Sequence, residues 1–293
     1  MIKSILVIIN PISGYSRSRE LPLILHRRLT WEGFQIRVHL TTGPRDAYEY
    51  TRSQVRDFDL VLVAGGDGTV RDVVAAAAPQ GVPVTILPTG TENLFAKEMG
   101  IRPDLDRIVD TVRGGRVVTL DMGVVNGSPF LMLSGIGFDA QVLLHLNQFR
   151  RGNITHLTYF WPIWRTFWEY DFPAVTVEAD GQKILDDTAA LVFVSNIRRY
   201  AVNLRICDRA RFDDGLLDVC IYKCRHQVPL LMHAWRTLFR RHLARGDVIY
   251  HQARSIRVTS RHALPYETDG DPGGYLPAEY EILPSAVKVL LPS

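Results

Sequence analysis

Cysteine is scarce in this sequence, and long apolar runs are missing from it. The three cysteines, Cys207, Cys220 and Cys224, follow no metal-ligand spacing, and an odd number leaves at least one without a disulfide partner. We therefore expect reduced, buried thiols, which are typical of a cytoplasmic protein. No run of roughly eighteen apolar residues occurs, so no membrane-spanning helix is predicted. The apolar part of the N-terminal stretch MIKSILVIINP is too short for a signal peptide.

Net charge is also low, and two common nucleotide fingerprints do not apply. The formal net charge of +3 over 293 residues is too small for a dedicated nucleic-acid binder, so no nucleic-acid partner is expected. No Gly-x-x-x-x-Gly-Lys-Ser/Thr segment occurs, which excludes a P-loop. A Gly-x-Gly-x-x-Ala match at residues 135–140 precedes the aromatic segment TYFWPIWRTFWEY, so we do not interpret it as a dinucleotide site.

The most informative stretch is residues 59–78, DLVLVAGGDGTVRDVVAAAA. Its apolar start predicts a strand, its alanine-rich end predicts a helix, and the turn Gly65-Gly66-Asp67-Gly68-Thr69 joins them. Glycines let the main chain approach a ligand closely, as in turns that bind phosphate at a helix N-terminus. Asp67 would repel bare phosphate, so we expect a metal-bound nucleotide. The alternative is a tight α/β loop with an incidental aspartate.

Strands and helices alternate through residue 115, which indicates a doubly wound parallel sheet. The apolar runs that predict its strands lie at residues 4–9, 35–40, 59–64 and 83–87. Ligands of such sheets bind beyond the carboxyl ends of the strands. The loops at these ends contain Asn10, Thr41, the turn at 65–69 and residues 89–93. We expect the four loops to converge on one crevice.

After residue 115 short strand-like runs dominate, and Asp180-Gly181 is a hairpin signal. We therefore predict a fold of class α/β plus β. Residues 1–120, with a returning C-terminal strand at 286–293, would form a doubly wound α/β nucleotide-binding domain. Residues 121–285 would form a β-rich domain, which we interpret as a β-sandwich.

Two predicted helices of this second domain bear on membranes. One, predicted over residues 157–170, has an aromatic face made of Trp161, Trp164, Phe167 and Trp168. That face either packs on the sandwich or rests at a bilayer interface. The other carries the basic residues Arg236, Arg240, Arg241 and Arg245. These arginines form either a solvated face or a surface that attracts anionic lipid.

Six short motifs occur in the order that is typical of one enzyme family. They are Asn10-Pro-x-Ser-Gly14, Gly65-Gly-Asp-Gly-Thr69, Pro88-Thr-Gly-Thr-x-Asn93, Gly135-x-Gly-Phe-Asp139, Asp214-Gly-Leu-Leu-Asp218 and Asp269-Gly-Asp271. The glycine-rich turn alone is shared with NAD kinases and 6-phosphofructokinases. The whole set resembles the bacterial diacylglycerol kinase and lipid kinase family, and the resemblance covers essentially the whole chain.

This resemblance implies ATP-dependent phosphorylation of a lipid hydroxyl, with a nucleotide domain followed by a β-sandwich that carries the lipid site. It implies ATP and Mg²⁺ as cofactors, with Asp67 organising the magnesium ion. The nucleotide contacts that it implies are Asn10, Thr41, Gly65, Gly66, Gly68, Thr69, Thr91 and Asn93.

The resemblance also implies roles for residues of the second domain. Asp214, with the carbonyl groups of Arg211 and Leu216, corresponds to a structural divalent-cation site. Asp269 and Asp271 correspond to the pair of carboxylates that activates the acceptor hydroxyl. Which of the two is the base stays open. Phosphoryl transfer needs a metal, donors for the phosphates and a carboxylate near the nucleophile, and these residues supply each.

Two positions depart from the family pattern. Leu94 stands where the family usually has an aspartate that supports the magnesium network. Asp271 stands where glutamate is usual, so its carboxylate is one methylene shorter. A third position, Asp121, matches a family aspartate and is either a structural carboxylate or part of the magnesium network.

The main interpretation is a cytoplasmic lipid kinase that associates peripherally with the inner face of the membrane. An NAD kinase-like enzyme for a soluble nucleotide is one alternative, and a non-catalytic nucleotide or lipid sensor is another. The resemblance implies a lipid alcohol as substrate without choosing among diacylglycerol, a sphingoid base and phosphatidylglycerol, and a homodimer stays open.

Overall fold

The computed structural model describes residues 2–13, 20–149, 160–200, 204–244 and 246–293. Gly14 of the first motif and Arg245 of the basic segment lie outside the described residues. The chain divides into two compact units. The first contains residues 1–122 and 284–293, and the second contains residues 123–283.

Strands and helices alternate in the first unit. Their bounds are β1 (Ser4–Ile9), α1 (Leu21–Trp31), β2 (Gln35–Leu40), α2 (Asp46–Gln54), β3 (Leu60–Gly65), α3 (Asp67–Ala77), β4 (Val84–Pro88), α4 (Leu94–Glu98), α5 (Leu105–Gly114) and the start of β5 (Arg116–Val125). The strands β4, β3, β1 and β2 lie side by side in that order and are parallel. The end of the last strand, β15 (Ala278–Leu291), joins β4 through the pair Val289 and Val84.

Burial on both faces explains why β1 and β3 are continuous apolar runs. Every residue of β3 is buried, as are the last five residues of β1. Leu25 of α1 and Ile108 of α5 pack against these strands in one hydrophobic cluster. Since the strands are parallel, their carboxyl ends meet at one edge of the sheet. The prediction of an α/β sheet with parallel strands is confirmed.

The second unit is mainly antiparallel. After the end of β5 its elements are β6 (Ser128–Phe130), β7 (Leu133–Ile136), α6 (Phe138–Phe149), α7 (Phe160–Glu169), β8 (Ala174–Ala179), β9 (Gln182–Ser195), β10 (Leu217–Lys223), α8 (Gln227–Leu238), β11 (Val248–Ala253), β12 (Ser255–Thr259), β13 (Pro265–Thr268), β14 (Asp271–Tyr275) and the start of β15.

The long strand β9 takes part in two layers of this unit. Its first half pairs with β8, which continues to β12 and β15, and its second half pairs with β7 and β10. Apolar side chains of both groups of strands, among them Val177, Val192, Val219 and Tyr280, fill one core. The predicted β-sandwich is therefore confirmed. All three cysteines are buried and free, as expected from the sequence.

The C-terminal strand predicted at 286–293 is the end of a longer strand, β15, which continues through Ser285 in a left-handed conformation with φ of 52°. The acidic segment at 266–272 is a hairpin of β13 and β14. Within the described residues, no helix combines the length and the apolar character that crossing a membrane requires.

Candidate active site

Three loops of the first unit are hydrogen-bonded to one another at the carboxyl edge of its sheet. Asn10, after β1, donates from Nδ2 to Thr69 Oγ1 at 3.0 Å. Thr89, after β4, donates its backbone N–H to the Gly65 carbonyl at 3.0 Å, and its hydroxyl lies 2.8 Å from that of Ser13. Thr41, after β2, donates its N–H to the carbonyl of the last residue of β1 at 2.9 Å. All four predicted loops therefore lie along one edge.

Close main-chain packing explains the glycines of these loops. A Cβ atom on Gly90 would lie 2.5 Å from the Cα atom of Gly66, a distance that real Cβ contacts do not reach. A Cβ atom on Gly65 would lie 2.6 Å from the Cβ atom of Thr69. Helix α3 begins at this point, with Asp67 in its first turn. The N–H groups of a first turn have no acceptor within the helix, so they are available to an anionic ligand.

Asp67 joins the glycine-rich turn to the start of α4. Its Oδ2 accepts the N–H of Leu94 at 2.9 Å, and its Oδ1 accepts the N–H of Phe95 at 3.1 Å. Burial raises the pKa of Asp67, and these two hydrogen bonds oppose that rise. Leu94 thus contributes its main chain to the site, although its side chain carries no carboxylate. Sequence reasoning did not anticipate this capping role.

The loop before α4 is stabilised by its own asparagine. Asn93 has a left-handed conformation with φ of 52°, accepts the N–H of Gly90 at 2.9 Å and donates to the Gly90 carbonyl at 2.7 Å. Thr91 is exposed, and the carboxylate of Glu92 lies 3.6 Å from Lys97 Nζ. Asn93 therefore shapes the loop, while Thr91 is accessible to a ligand.

The residues of this edge fit a magnesium ion that is bound mainly through a nucleotide. Among the residues that the structure describes, no group of three His, Cys, Asp or Glu side chains could hold a metal by itself. Mg²⁺ in nucleotide sites is usually bound by one or two carboxylates together with water and phosphate oxygens. Asp67 supplies one such carboxylate, and a carboxylate that accepts two N–H bonds keeps lone pairs for a cation.

The loop of the predicted second cation site is separately ordered. Asp214 is exposed and accepts the N–H of Leu216 at 3.1 Å, while the guanidinium of Arg211 pairs with Asp213 at 3.1 Å. The amide nitrogen of Gln252 lies 3.5 Å from Asp214 Oδ2 and 3.4 Å from Oδ2 of the buried Asp218. A cation role for Asp214 and for the Arg211 and Leu216 carbonyls stays a prediction.

Asp218, which lies beside that loop, has a raised pKa because it is buried. Burial, with the charge of Asp214 adding to it, raises the pKa of Asp218 to about 6. The Tyr250 hydroxyl donates a hydrogen bond to Asp218. Asp218 therefore carries less charge near neutral pH than an ordinary aspartate does.

The turn between β13 and β14 separates the two candidate carboxylates. Asp269 and Gly270 both have positive φ, 51° and 84°, as a two-residue hairpin turn requires. Asp269 is buried, and its oxygens accept three main-chain N–H groups, from Leu131 at 2.8 Å, Met132 at 2.9 Å and Leu133 at 3.1 Å. Asp271, the first residue of β14, is exposed.

A pair of buried acids lies beneath this turn. Glu267 accepts the N–H of Gly135 at 2.7 Å and that of Gly270 at 2.8 Å, and it forms a hydrogen bond with Asp139. The Tyr200 hydroxyl donates a hydrogen bond to Asp139 Oδ1. Burial raises the pKa of both acids. A hydrogen bond between two carboxyl groups requires a proton on one of them, so we infer that the pair shares a proton.

Sequence reasoning noted Asp139 within a motif but missed its partner. The available signal was a glutamate inside an apolar strand, two residues before Asp269. Asp121, left open between two roles, is buried and accepts the N–H of Ser285 at 2.7 Å, which favours the structural role.

Gly90→Ala should destabilise the first unit. The added methyl group would clash with the Gly66 main chain, and overpacking of this kind typically costs about 1–3 kcal/mol. Gly114→Ala is the matched control, because nothing lies within 4 Å of a Cβ atom there. Urea unfolding of both variants measures the difference, and equal stability of the two would contradict the close approach.

Asp139→Asn should flatten the dependence of stability on pH. Both acids have raised pKa values in the native state, so the stability that their proton contributes is complete below the unfolded-state values of about 4. It is lost as pH rises through the raised native values. An asparagine amide can donate to Glu267 without titrating. The loss of unfolding free energy between acidic and alkaline pH should therefore be smaller in this variant.

The measurement is chemical denaturation at a series of pH values. Asp110→Asn, a change at an exposed carboxylate on α5, is the control and should follow the unmodified protein. Identical pH profiles for Asp139→Asn and the unmodified protein would show that Asp139 and Glu267 do not share a proton.

Two family models match the chain, one in each part. The diacylglycerol kinase catalytic domain matches residues 4–125. The YegS C-terminal NAD kinase beta sandwich-like domain matches residues 133–291, which is more than half of the chain.

Individual relatives agree with these matches. The chain is 27% identical to a diacylglycerol kinase of Bacillus subtilis over 290 residues, which covers 98% of this chain and 95% of the relative. It is 28% identical to a diacylglycerol kinase of Staphylococcus carnosus over 291 residues, covering 98% and 94% of the two chains.

A crystal structure of a diacylglycerol kinase from Bacillus anthracis has a TM-score of 0.74 at 21% identity, covers 99% of this chain and 97% of its own, and supports the fold. Since family models match both parts of the chain and relatives match its whole length, this protein belongs to the diacylglycerol kinase family and is a phosphotransferase of the kinase class.

Proposed function

We propose that this protein transfers the γ-phosphoryl group of ATP to the hydroxyl of a lipid alcohol such as diacylglycerol. The observation that carries the proposal is the glycine-rich turn at the start of α3, where Gly66 packs on Gly90 and leaves bare main chain at the sheet edge. Phosphoryl transfer also needs a carboxylate that accepts the proton of the substrate hydroxyl, and Asp271, which is exposed in the second unit, would supply it.

The nucleotide would bind along the carboxyl edge of the first unit. The N–H groups of the first turn of α3, including Gly68 and Thr69, would donate to phosphate oxygens at the positive end of the helix dipole. Asn10 orients the Thr69 hydroxyl, and Thr41 and Thr91 would contact the nucleotide. Asp67 would hold Mg²⁺ together with the phosphates, where the ion neutralises negative charge.

Asp271 is the better candidate for the base. A base must reach the acceptor hydroxyl, and Asp271 is exposed. Asp269 is buried, and both of its oxygens already accept main-chain N–H groups of residues 131–133. We therefore infer that Asp269 positions the turn and that Asp271 accepts the proton of the lipid hydroxyl.

The helix α7 supports a lipid acceptor that is presented at a membrane. Trp161, Trp164 and Trp168 are each about half exposed or more on this helix, while Thr166 on its opposite side is buried. Indole rings favour the interface between water and lipid. We propose a cytoplasmic enzyme that associates peripherally with the inner membrane face.

A substrate screen tests the proposal directly. The purified protein is incubated with labelled ATP, Mg²⁺ and a panel that contains diacylglycerol, a sphingoid base, phosphatidylglycerol and NAD. Label transfer to a lipid alcohol is the expected result. Transfer to NAD alone would identify a soluble nucleotide kinase, and no transfer despite ATP binding would identify a sensor.

Asp67→Asn and Asp67→Ala should both lose turnover, by at least about 10²-fold, because neither can hold the magnesium ion. Asparagine keeps an oxygen that can cap α4, whereas alanine does not, so the alanine variant should also lose about 0.5–2 kcal/mol of stability. Turnover and thermal unfolding are measured for both variants. Normal turnover in the asparagine variant would remove Asp67 from the site.

Asp271→Asn and Asp269→Asn should fail in different ways. Asp271→Asn should lower kcat by about 10²-fold or more with ATP binding and stability unchanged. Asp269→Asn should destabilise the second unit by about 1–3 kcal/mol, since its amide nitrogen would face a main-chain donor. Titration with ATP, turnover and unfolding separate the two effects. A stable Asp269→Asn variant without turnover, beside a normal Asp271→Asn variant, would reverse the assignment.

A further inference from the structure

Helix α8 has polar residues on its buried side and apolar residues on its exposed side, which is the reverse of a usual surface helix. Its buried side includes His233 and Thr237, whereas Leu231, Trp235 and Leu238 face solvent. Both residues form hydrogen bonds, since His233 Nε2 lies 3.0 Å from a main-chain carbonyl and the Thr237 hydroxyl lies 3.0 Å from that of a tyrosine. The other ring nitrogen, His233 Nδ1, has no hydrogen-bond partner among the described residues. A surface helix normally turns its apolar stripe toward the core. Polar side chains therefore occupy the inner side of α8, and within the part of the chain that the structure describes the apolar side chains of its outer side are exposed.

The outer side forms a continuous apolar surface, which we call the α8 apolar face. Its members are between 46% and 65% exposed and are Val228, Leu231, Met232, Trp235, Leu238 and Phe239. The Trp235 and Phe239 rings pack together with their centroids 4.7 Å apart. An open hollow of about 660 Å³ adjoins the face and is lined mostly by apolar side chains. Exposed apolar surfaces of this kind usually mark interaction sites.

The charge around the face is mostly positive. Residues 225–246 contain five arginines and three histidines but no aspartate or glutamate. Arg225, Arg240 and Arg241 are exposed, and Arg236 pairs with Asp247 at 2.7 Å. The partner of this surface must therefore accept apolar side chains at its centre and arginines at its rim.

We propose that the α8 apolar face docks on the surface of an anionic lipid bilayer, with the helix lying in the interface plane. Its apolar side chains would enter the boundary between headgroups and acyl chains, and the flanking arginines would contact anionic headgroups. A helix of 12 residues is about 18 Å long, which is too short to cross a bilayer. Indole and phenyl rings suit this interface.

The same observations disfavour two other partners. In a two-fold dimer the face would meet itself, which would bring its arginine rim close to an identical rim, and Asp247, which pairs with Arg236, is the acidic residue that follows residues 225–246. Nucleic acid would satisfy the arginines, yet its phosphate backbone offers nothing to six apolar side chains. An anionic bilayer satisfies both parts of the surface.

This docking surface rests on the proposed lipid kinase function for its purpose, which is access to a substrate within the bilayer. The proposal makes α8 a second membrane-contacting helix beside α7, whose tryptophans we proposed for the same role. Leu230 on the inner side of α8 belongs to a hydrophobic cluster against which Phe167 of α7 also packs. The two helices are therefore anchored on one cluster of the second unit.

Vesicle flotation of the full chain tests the surface. The probes are vesicles of phosphatidylcholine with phosphatidylglycerol and vesicles of phosphatidylcholine alone. The double variant Leu231→Ser with Trp235→Ser should bind the anionic vesicles at least about tenfold more weakly, because it removes two large apolar side chains. Trp31→Ser is the matched control, since Trp31 on α1 is 90% exposed in the other unit, and it should bind normally.

Charge is tested separately. Arg240→Gln with Arg241→Gln should weaken flotation with anionic vesicles and leave the small binding to neutral vesicles unchanged. High salt should reduce flotation of the unmodified protein. Flotation of the serine double variant equal to that of the control would overturn the proposal. So would loss of a dimer in that variant with unchanged flotation, or binding of duplex DNA that competes with vesicles.

Turnover distinguishes failure of this surface from failure of the proposed function. A short-chain diacylglycerol, used below the concentration at which it aggregates, should be phosphorylated equally by the serine double variant and the control. Long-chain diacylglycerol in anionic vesicles should be phosphorylated more slowly by the double variant. Vesicle binding without any turnover would refute the lipid kinase and leave the surface. Turnover without flotation would overturn the surface and leave the kinase.

Discussion

The close approach of two loops in the first unit is the constraint on which its site depends. Gly66 and Gly90 lie so near each other that a Cβ atom on Gly90 would come within 2.5 Å of the Cα atom of Gly66. The contact places the start of α3 beside the loop that leads into α4, and Asp67 can then accept two N–H groups from that second helix. Without this contact the carboxylate, the helix end and the exposed main chain would not lie at the same edge.

Carboxylates bind main-chain N–H groups in both units, and Asp67 and Asp269 among them belong to the recognisable motifs. Asp67 caps α4, Asp121 accepts the N–H of Ser285, and Asp269 binds residues 131–133. Glu267 does the same for Gly135 and Gly270. A buried carboxylate that accepts several N–H groups orders the chain at little desolvation penalty, because each hydrogen bond offsets part of that penalty. The family motifs of this protein therefore include residues that stabilise the fold as well as residues proposed for catalysis. Asp269 is buried and belongs to the first kind, whereas Asp271 is exposed and is proposed for the second.

The second unit combines a well-packed sandwich with helices whose outer surfaces are apolar. Strand β9 links its two layers, and the core between them is filled by aliphatic and aromatic side chains. Helices α7 and α8 bury threonine or histidine and expose tryptophan. Exposed apolar surfaces of this kind usually mark interaction sites, and this is the observation on which the proposed contact with a lipid surface rests.

Sequence by itself determined the fold class and the location of the polar and glycine-rich loops at the edge of the sheet. Apolar runs of the right length predicted buried parallel strands, and glycine-rich polar turns after them predicted a ligand edge, because both depend on local spacing. The motifs also predicted the family, and their resemblance to it implied the functional roles that we propose for Asp67, Asp214, Asp269 and Asp271.

Only the tertiary structure decided which carboxylates are buried and what they bind. The partners of Asp269 are more than 130 residues away in sequence, and those of Asp67 are 27 and 28 residues away, so no local pattern reports them. The pairing of Asp139 with Glu267 likewise joins residues from distant parts of the chain. The direction in which α8 turns its apolar side is also a tertiary property. Helical periodicity shows that a helix has two sides, and packing alone decides which of them meets the core.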